Sequence, residues 1–175
     1  PEKPRWTREE LIANAPWSTY GKPASRERNF ITSLALEADV QEVHTQTLAR
    51  KYDEIRQNEV RYSTYMTEDA EYLFVAFGCS ARICEAVIDE LRAAGVKAGL
   101  LRPITLFPFP TEAISKLADQ CKAMMSVELN LGQMVDDVRL AVNGRCPVGF
   151  YGRQGGNIFT PEEIVAKFYE FTGLA

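Results

Sequence analysis

The sequence has little of what metal centres and nucleophilic or acid–base catalysis require. It contains one histidine, His44, and its four cysteines form no C-x-x-C pair. The ligand spacings of zinc ribbons and iron–sulfur clusters are therefore missing. A cysteine nucleophile needs a histidine to activate it, and no local sequence links His44 to Cys79. No two carboxylates lie at a spacing that suggests an acid–base pair. We therefore expect no catalytic residue and no metal site in this chain.

Long hydrophobic runs and a strong excess of one charge are also missing. The longest apolar run, residues 72–77, is far too short to span a bilayer, and no signal peptide is visible. Twenty basic and twenty-four acidic residues give a net charge of −4. This balance argues against a general nucleic-acid binder. We expect a cytoplasmic domain with neither a membrane nor a nucleic acid as partner.

The 175 residues, 46% of them hydrophobic and 25% charged, are enough for one globular domain plus an arm. Disordered and low-complexity chains are excluded by this composition. The chain begins at Pro1 without an initiator methionine. We therefore expect either a processed chain or a piece of a longer one.

Two segments precede the main pattern. Residues 1–39 carry four of the nine prolines and predict an irregular arm, with short strands near residues 30–36. Residues 40–66 are polar, with apolar side chains at three-, four- and seven-residue steps. This spacing predicts a linker helix that is either half exposed or docked on a partner.

From residue 70 to 175 strands and helices alternate. Apolar runs predict strands at 72–77, 96–101, 124–129 and 148–151. Ser80 is placed to cap the helix after the first strand, and Thr160-Pro161-Glu162-Glu163 is a capping box before the last helix. Four such units in a row predict an α/β fold, a three-layer, doubly wound, mostly parallel sheet.

In such a sheet, ligands and partners gather beyond the carboxyl ends of the strands. The loops predicted there supply a polar rim, a candidate binding site or domain interface, formed by Ser80, Arg102, Asn130, Gln133 and Arg153. Gly78-Cys-Ser80 and the glycines of 152–156 could present N–H groups to an anion, or could be a tight turn and a flexible connector.

Three further features leave alternatives open. Glu128 ends a predicted strand and could be a general base or could cap the following turn. Phe107 and Phe109 alternate with prolines and are either a docking surface or core packing. The cysteines Cys79, Cys84, Cys121 and Cys146 allow two disulfides, although buried thiols fit their apolar surroundings better.

Several of these motifs together resemble a known family. They are Gly78-Cys-Ser80, Leu101-Arg-Pro-Ile-Thr-Leu-Phe-Pro-Phe-Pro110, Glu128-Leu-Asn-Leu-Gly-Gln133 and Tyr151-Gly-Arg-Gln-Gly-Gly156. This pattern is similar to the transketolase C-terminal-like domain of 2-oxoacid:ferredoxin oxidoreductases. The residues from His44 to Lys51 resemble the helix that leads into that domain. The fit is closest to the alpha-type subunit of the 2-oxoisovalerate enzymes and covers most of residues 15–175.

The resemblance implies a C-terminal, non-catalytic assembly domain of one subunit. The assembled enzyme would decarboxylate a 2-oxoacid on thiamine diphosphate, pass electrons through [4Fe–4S] clusters to ferredoxin and give the acyl group to coenzyme A. The family holds thiamine diphosphate and Mg²⁺ on other domains, one of which has a G-D-G metal motif. Neither G-D-G nor cluster cysteines occur in this chain. The alternative functions are a stand-alone anion- or nucleotide-binding module and a thiol enzyme centred on Cys79.

Overall fold

The computed structural model describes residues 6–15, 17, 21, 24–25, 27–30 and 32–174. It divides into two compact units, Pro1–Thr47 and Leu48–Ala175.

The first unit contains a short helix, α1 (Arg8–Asn14), that was not expected in an irregular arm. The side chain of Thr7 accepts a hydrogen bond from the N–H of Glu10, and the Glu10 side chain accepts one from the N–H of Thr7. This capping box supplies partners for two N–H groups that a helix end leaves free. The strands expected near residues 30–36 are wrong, since 27–30 and 32–36 are irregular. Nothing in α1 is buried.

The linker helix is shorter than expected. It forms α2 (Ala38–Asn58), and the prediction that it continues to residue 66 is wrong because residues 62–65 form strand β1 (Tyr62–Tyr65). The sequence Y-S-T-Y combines aromatic and β-branched side chains that favour a strand. Its partner is a strand far along the chain, and a local pattern cannot reveal such a pairing.

The second unit is built on one five-stranded sheet. Its other strands are β2 (Tyr72–Ala76), β3 (Ala98–Pro103), β4 (Ala123–Glu128) and β5 (Val148–Gly152), within two residues of their predicted bounds. The strand order is β1-β3-β2-β4-β5, and every pair is parallel except β1 with β3. The predicted α/β class with a mostly parallel sheet is confirmed.

Four helices cover the two faces of the sheet. They are α3 (Gly78–Ala93), α4 (Thr111–Ala118), α5 (Met134–Val142) and α6 (Pro161–Thr172). One apolar cluster joins alternate strand residues such as Phe74 to α3 and α6, and a second joins the intervening residues such as Val75 to α4 and α5. Helices on both faces make three layers, as expected for a doubly wound sheet.

Most of the helix ends lie where the sequence predicts them. The Thr160–Glu163 capping box and Pro161 begin α6 as predicted, and Asn143, with φ of 49°, ends α5. The expectation that Ser80 caps α3 is wrong. The cap residue is Phe77, no side chain caps this helix, and Ser80 is a buried residue of its first turn.

The register decides where the chain enters the second unit. Because β1 is antiparallel, its first residue, Tyr62, pairs with Pro103 at the carboxyl end of β3. The residues before β1 therefore join the sheet at its carboxyl edge. Helix α6 follows β5 and runs back along the sheet, so the chain leaves it towards the opposite edge.

Candidate interface at the carboxyl edge of the sheet

Strands β2 and β4 are neighbours, and the chain leaves them to opposite faces of the sheet. Such a switch point is where doubly wound sheets place ligands and partners. The connections at this edge are Phe77 with the start of α3, residues 104–110, residues 129–133 and residues 153–160.

Glu128 is the most constrained polar group at this edge. Its side chain is 1% exposed, and its two carboxylate oxygens accept four hydrogen bonds. The donors are the Ser126 hydroxyl at 2.9 Å and the backbone N–H groups of Gln133, Met134 and Val135 at 3.2, 2.8 and 2.8 Å. A carboxylate is stabilised at a helix N-terminus, where N–H groups lack helical partners.

These contacts decide between the two interpretations of Glu128. The carboxylate is out of reach of solvent and has a donor at each oxygen, so a general base is the wrong interpretation. It joins the end of β4 to the start of α5. A sequence can show an acidic residue at a strand end, but only the fold shows that three N–H groups converge on it.

Asn130 and Gln133 shape the connection after β4. The Asn130 side-chain oxygen accepts the N–H of Gly132 at 2.7 Å, which closes an Asx turn. Gln133 precedes α5, and its side chain is exposed. Asn130 is therefore engaged within its own loop, whereas the Gln133 amide is open to a partner.

Arg153 lies on the next loop, close to this connection. Its N–H donates to the carbonyl of Glu128 at 3.1 Å, and its guanidinium donates to the Glu163 carboxylate at 2.6 Å. The pKa of Glu163 is lowered, first by the backbone N–H of Thr160 and then by Arg153. The cation therefore has a partner in α6, which weakens the anion-clamp interpretation.

The structure does not bring the five predicted rim residues together. Asn130, Gln133 and Arg153 lie on two adjacent connections, whereas Ser80 is 3% exposed inside α3. Arg102 lies within β3 opposite Ser63, with an exposed side chain that makes no ion pair inside the described residues. The predicted polar rim is thus reduced to one cluster and one separate arginine.

Exposed apolar side chains are a feature of this edge that the sequence indicated at the phenylalanines alone. They lie on three of its connections, and they are Ile104, Leu106, Phe107, Leu129, Leu131 and Ile158, each 40–79% exposed. A group of this kind is typical of an interaction surface. Most of these apolar residues stand in the runs I-T-L-F and L-N-L, but the sequence could not show that their side chains face solvent.

The two phenylalanines between prolines behave differently. Phe107 is 56% exposed, lies edge-on to Tyr52 at 5.8 Å and has the Arg56 guanidinium 5.9 Å from its ring. Phe109 packs against the apolar cluster of α4 and α5. A groove of about 760 Å³ lies between the end of α2 and residues 107–113. Core packing is therefore the correct interpretation for Phe109, whereas a docking role for the exposed ring of Phe107 stays a prediction.

The cysteines are all free, and three of them are buried. Burial raises the pKa of the Cys84 and Cys121 thiols to about 12, which suits packing and not nucleophilic attack. Cys79 is exposed in the first turn of α3. Within the described part of the chain, no three His, Cys, Asp or Glu side chains are grouped so that they could hold a metal ion. No helix there has the length and hydropathy to cross a bilayer.

The fold and its carboxyl edge indicate the class of protein to which the chain belongs. The chain carries a doubly wound α/β domain with an antiparallel edge strand and exposed apolar side chains at its carboxyl edge. A sequence model of the family described as "Pyruvate:ferredoxin oxidoreductase core domain II" matches residues 70–164, more than half of the chain. The chain belongs to this family of 2-oxoacid:ferredoxin oxidoreductases, as the sequence motifs indicated.

Its curated relatives are subunits of such enzymes. The chain is 41% identical over 167 residues to ketoisovalerate oxidoreductase subunit VorB of Methanothermobacter marburgensis, covering 94% of this chain and 47% of that protein. It is 33% identical to 2-oxoglutarate synthase subunit KorA of the same organism, over 58% of this chain and 27% of that protein. The chain therefore spans about half the length, or less, of these relatives.

Solved structures share the fold. A 2-oxoglutarate:ferredoxin oxidoreductase from Magnetococcus marinus superposes with a TM-score of 0.66 at 20% identity, over 85% of this chain and 27% of that one. A split-gene transketolase, described as an inactive tetramer, superposes with a TM-score of 0.54 at 19% identity, over 63% of this chain and 40% of that one. At these identities the likeness establishes the architecture alone.

Proposed function

We propose that this chain is the C-terminal assembly domain of the alpha-type subunit of a 2-oxoacid:ferredoxin oxidoreductase that acts on 2-oxoisovalerate. The observation that carries this proposal is the 41% identity to a ketoisovalerate oxidoreductase subunit over 94% of the chain. Identity to the 2-oxoglutarate relative is lower and covers less of the chain, which favours the branched substrate.

The chemistry of the carboxyl edge supports a non-catalytic role. Glu128 and Arg153 have structural partners, and Ser80 is buried in a helix. The polar cluster that remains, with the exposed apolar side chains around it, fits a domain interface. We infer that Asn130, Gln133, Arg153 and Arg102 contribute to contacts with neighbouring domains.

The cofactors of the reaction belong, in this proposal, to other parts of the enzyme. No metal-holding group occurs among the described residues, and the sequence has neither a G-D-G motif nor paired cysteines. The residues present therefore do not fit thiamine diphosphate with Mg²⁺ or an iron–sulfur cluster. The other domains and subunits would hold these groups and meet ferredoxin and coenzyme A in the cytoplasm.

The alternative function, a stand-alone anion- or nucleotide-binding module, is less well supported. It would use Ser80, Asn130, Gln133 and Arg153. Ser80 is buried, Asn130 accepts the N–H of Gly132 and Arg153 is paired with Glu163, which leaves only the Gln133 side chain open. The thiol-enzyme alternative has no observation in its favour beyond the exposure of Cys79.

The native parent of this chain tests the proposal. An antibody raised against the chain is used to recover the parent polypeptide and its partners from cell extract under native conditions. We expect a parent subunit about twice this length, together with other subunits that carry thiamine diphosphate and iron. A parent of 175 residues without partners would overturn the proposal. Non-immune antibody serves as the control.

A further inference from the structure

Cys121 and Cys146 are two free thiols at the amino edge of the sheet, opposite the candidate interface. Cys121 lies just before β4 and Cys146 just before β5, and their side chains are 7% and 8% exposed. Both belong to the apolar cluster that α4 and α5 form with the sheet. The proposed function uses neither thiol.

Two contacts hold the loops that carry these thiols side by side. On one side of the pair, the guanidinium of Arg145 donates to the carboxylate of Asp119 at 3.1 Å. On the other side, the N–H of Met124 donates to the carbonyl of Pro147 at 2.9 Å. The two loops therefore run next to each other, with one thiol in each loop between these contacts.

The strand register places the two thiols near enough to react. Met124 pairs with Val148 across β4 and β5, and Cys121 and Cys146 precede these partners by three and two residues. Neighbouring strands lie about 4.8 Å apart, and a disulfide joins α-carbons up to about 7 Å apart. An offset of one residue keeps the pair within that limit. Consistent with this proximity, the pKa of Cys121 is raised first by burial and then by Cys146.

The other two cysteines lie apart from this pair. Cys84 is buried in α3, within the apolar cluster on the opposite face of the sheet. Cys79 is exposed in the first turn of α3, at the carboxyl edge. Among the four cysteines of the sequence, all of which the structure describes, only Cys121 and Cys146 share one face and one edge of the sheet.

We propose that Cys121 and Cys146 form a redox-sensitive switch, in which a low-molecular-weight disulfide oxidises the two thiols to a disulfide between the start of β4 and the start of β5. The cross-link closes a loop that contains β4 and α5. Because a closed loop restricts the unfolded chain, the oxidised form resists unfolding more than the reduced form.

The oxidation proceeds by two thiol–disulfide exchanges. The Cys146 thiolate attacks one sulfur of the small disulfide, forms a mixed disulfide and releases one small thiolate. The Cys121 thiolate then attacks the Cys146 sulfur and releases the second small thiolate. The two S–H protons of the protein pass to the released thiolates, so one disulfide is reduced for each one formed. Cys146 reacts first, because Arg145 opposes the rise in its pKa that burial causes, whereas burial raises the pKa of Cys121 to about 12.

The backbone carbonyl beside Cys121 keeps a partner after oxidation. In the reduced form the Cys121 thiol donates a weak hydrogen bond to the carbonyl of Ala70, at a sulfur–oxygen distance of 3.7 Å. The same carbonyl accepts the side-chain N–H of Gln120 at 3.2 Å. Loss of the S–H donor therefore leaves this buried oxygen hydrogen-bonded.

Oxidation of the folded 175-residue chain by cystamine, a small disulfide, tests the switch. Every sample carries Cys79→Ser, which removes the exposed thiol. After an acid quench, the remaining thiols are titrated in urea, and peptide mass spectrometry without reduction identifies linked peptides. We expect the three remaining thiols to fall to one, with a link between positions 121 and 146. We also expect the urea midpoint to shift to a higher concentration, and dithiothreitol to reverse this shift.

The matched control is Cys84→Ala, which removes a buried thiol on the other face of the sheet and should leave the link and the midpoint shift in place. Cys121→Ala and Cys146→Ala should each abolish both. Thiols at 121 and 146 that stay free would overturn the inference. So would a link through Cys84, a link that forms only in urea, or a mixed disulfide at Cys146 that Cys121 does not resolve.

Discussion

The role of Glu128 could not be decided from the sequence, but the structure decides it. At the end of a predicted strand, an acidic residue fits either a catalytic base or a helix cap. The structure buries the carboxylate and directs backbone N–H groups of the α5 terminus to both of its oxygens. Burial depends on the packing of α5 onto the sheet, and no local pattern contains that information.

The first prediction concerns this carboxylate. Glu128→Gln replaces one of two accepting oxygens with an amide that can only donate, so at least one buried N–H loses its partner. We expect the free energy of unfolding to fall by about 1–3 kcal/mol. Urea denaturation followed by circular dichroism measures the change.

The matched control is Glu112→Gln, at an exposed carboxylate in the first turn of α4. We expect it to change the free energy of unfolding by about 0.5 kcal/mol or less. Equal effects of the two substitutions would show that Glu128 acts only through its charge near a helix end.

Ser80 and Arg153 show a second limit on what the sequence can predict about single residues. Both were predicted at a binding rim because they follow strands, and both do lie near the carboxyl edge. The start of α3 lies three residues before the predicted one, which places Ser80 inside the helix, and the ion pair with Glu163 occupies Arg153. Their position along the chain was predictable, but their availability to a ligand was not.

Among the elements, the buried strands and capped helices were the predictable part. Strands β2 to β5 are apolar runs that can be recognised without knowing which strand each one pairs with. The α6 capping box is visible in four consecutive residues. Strand β1 was missed because Tyr62 also continues the helical spacing of α2. Its pairing with β3 lies about 40 residues away along the chain.

The α6 capping box leads to a prediction about acid sensitivity. The pKa of Glu163 is lowered from its ordinary value of 4.5, first by the Thr160 N–H and then by Arg153. The unfolded chain therefore binds the proton more tightly than the folded one. The contribution of this carboxylate to stability is present above about pH 4.5 and is lost as the pH falls through the lowered value.

We therefore expect Glu163→Gln to destabilise the protein more at pH 7 than at pH 3, because at pH 3 the wild-type carboxylate has already lost part of its advantage. Urea denaturation of both proteins at the two pH values measures this difference. Glu112→Gln, which alters an exposed carboxylate, is the control. A destabilisation by Glu163→Gln that is the same at both pH values would contradict the assignment.

At the scale of the whole molecule, the division into two units leads to a truncation prediction. Both apolar clusters of the sheet consist of residues after Leu48. A chain of residues 48–175 should therefore keep the unfolding free energy of the complete chain to within about 1 kcal/mol.

A chain that begins at residue 70, where the family match starts, lacks β1 and exposes the backbone of β3. We expect this shorter chain to self-associate, because an uncovered edge strand pairs with other chains. Size-exclusion chromatography with light scattering compares the two truncations. A monomeric, equally stable 70–175 fragment would show that β1 does not protect the sheet.

The fold class and the family were accessible from the sequence because they depend on patterns spread over many residues. Alternating apolar runs specify a doubly wound sheet, and the P-I-T-L-F-P-F-P and E-L-N-L-G-Q runs indicated the family that the comparison found. The character of the carboxyl edge was not accessible. It depends on which leucines face solvent and which polar groups find partners inside the fold.

The measurement that tests the central claim most directly is the enzymatic activity of the native parent. Material captured through this chain is assayed for reduction of a viologen dye that depends on both a 2-oxoacid and coenzyme A. We predict the highest rate with 2-oxoisovalerate, lower rates with 2-oxoglutarate and pyruvate, and none when coenzyme A is omitted. Captured parent subunit that reduces no dye with any of these 2-oxoacids would contradict the assignment to a 2-oxoacid:ferredoxin oxidoreductase assembly.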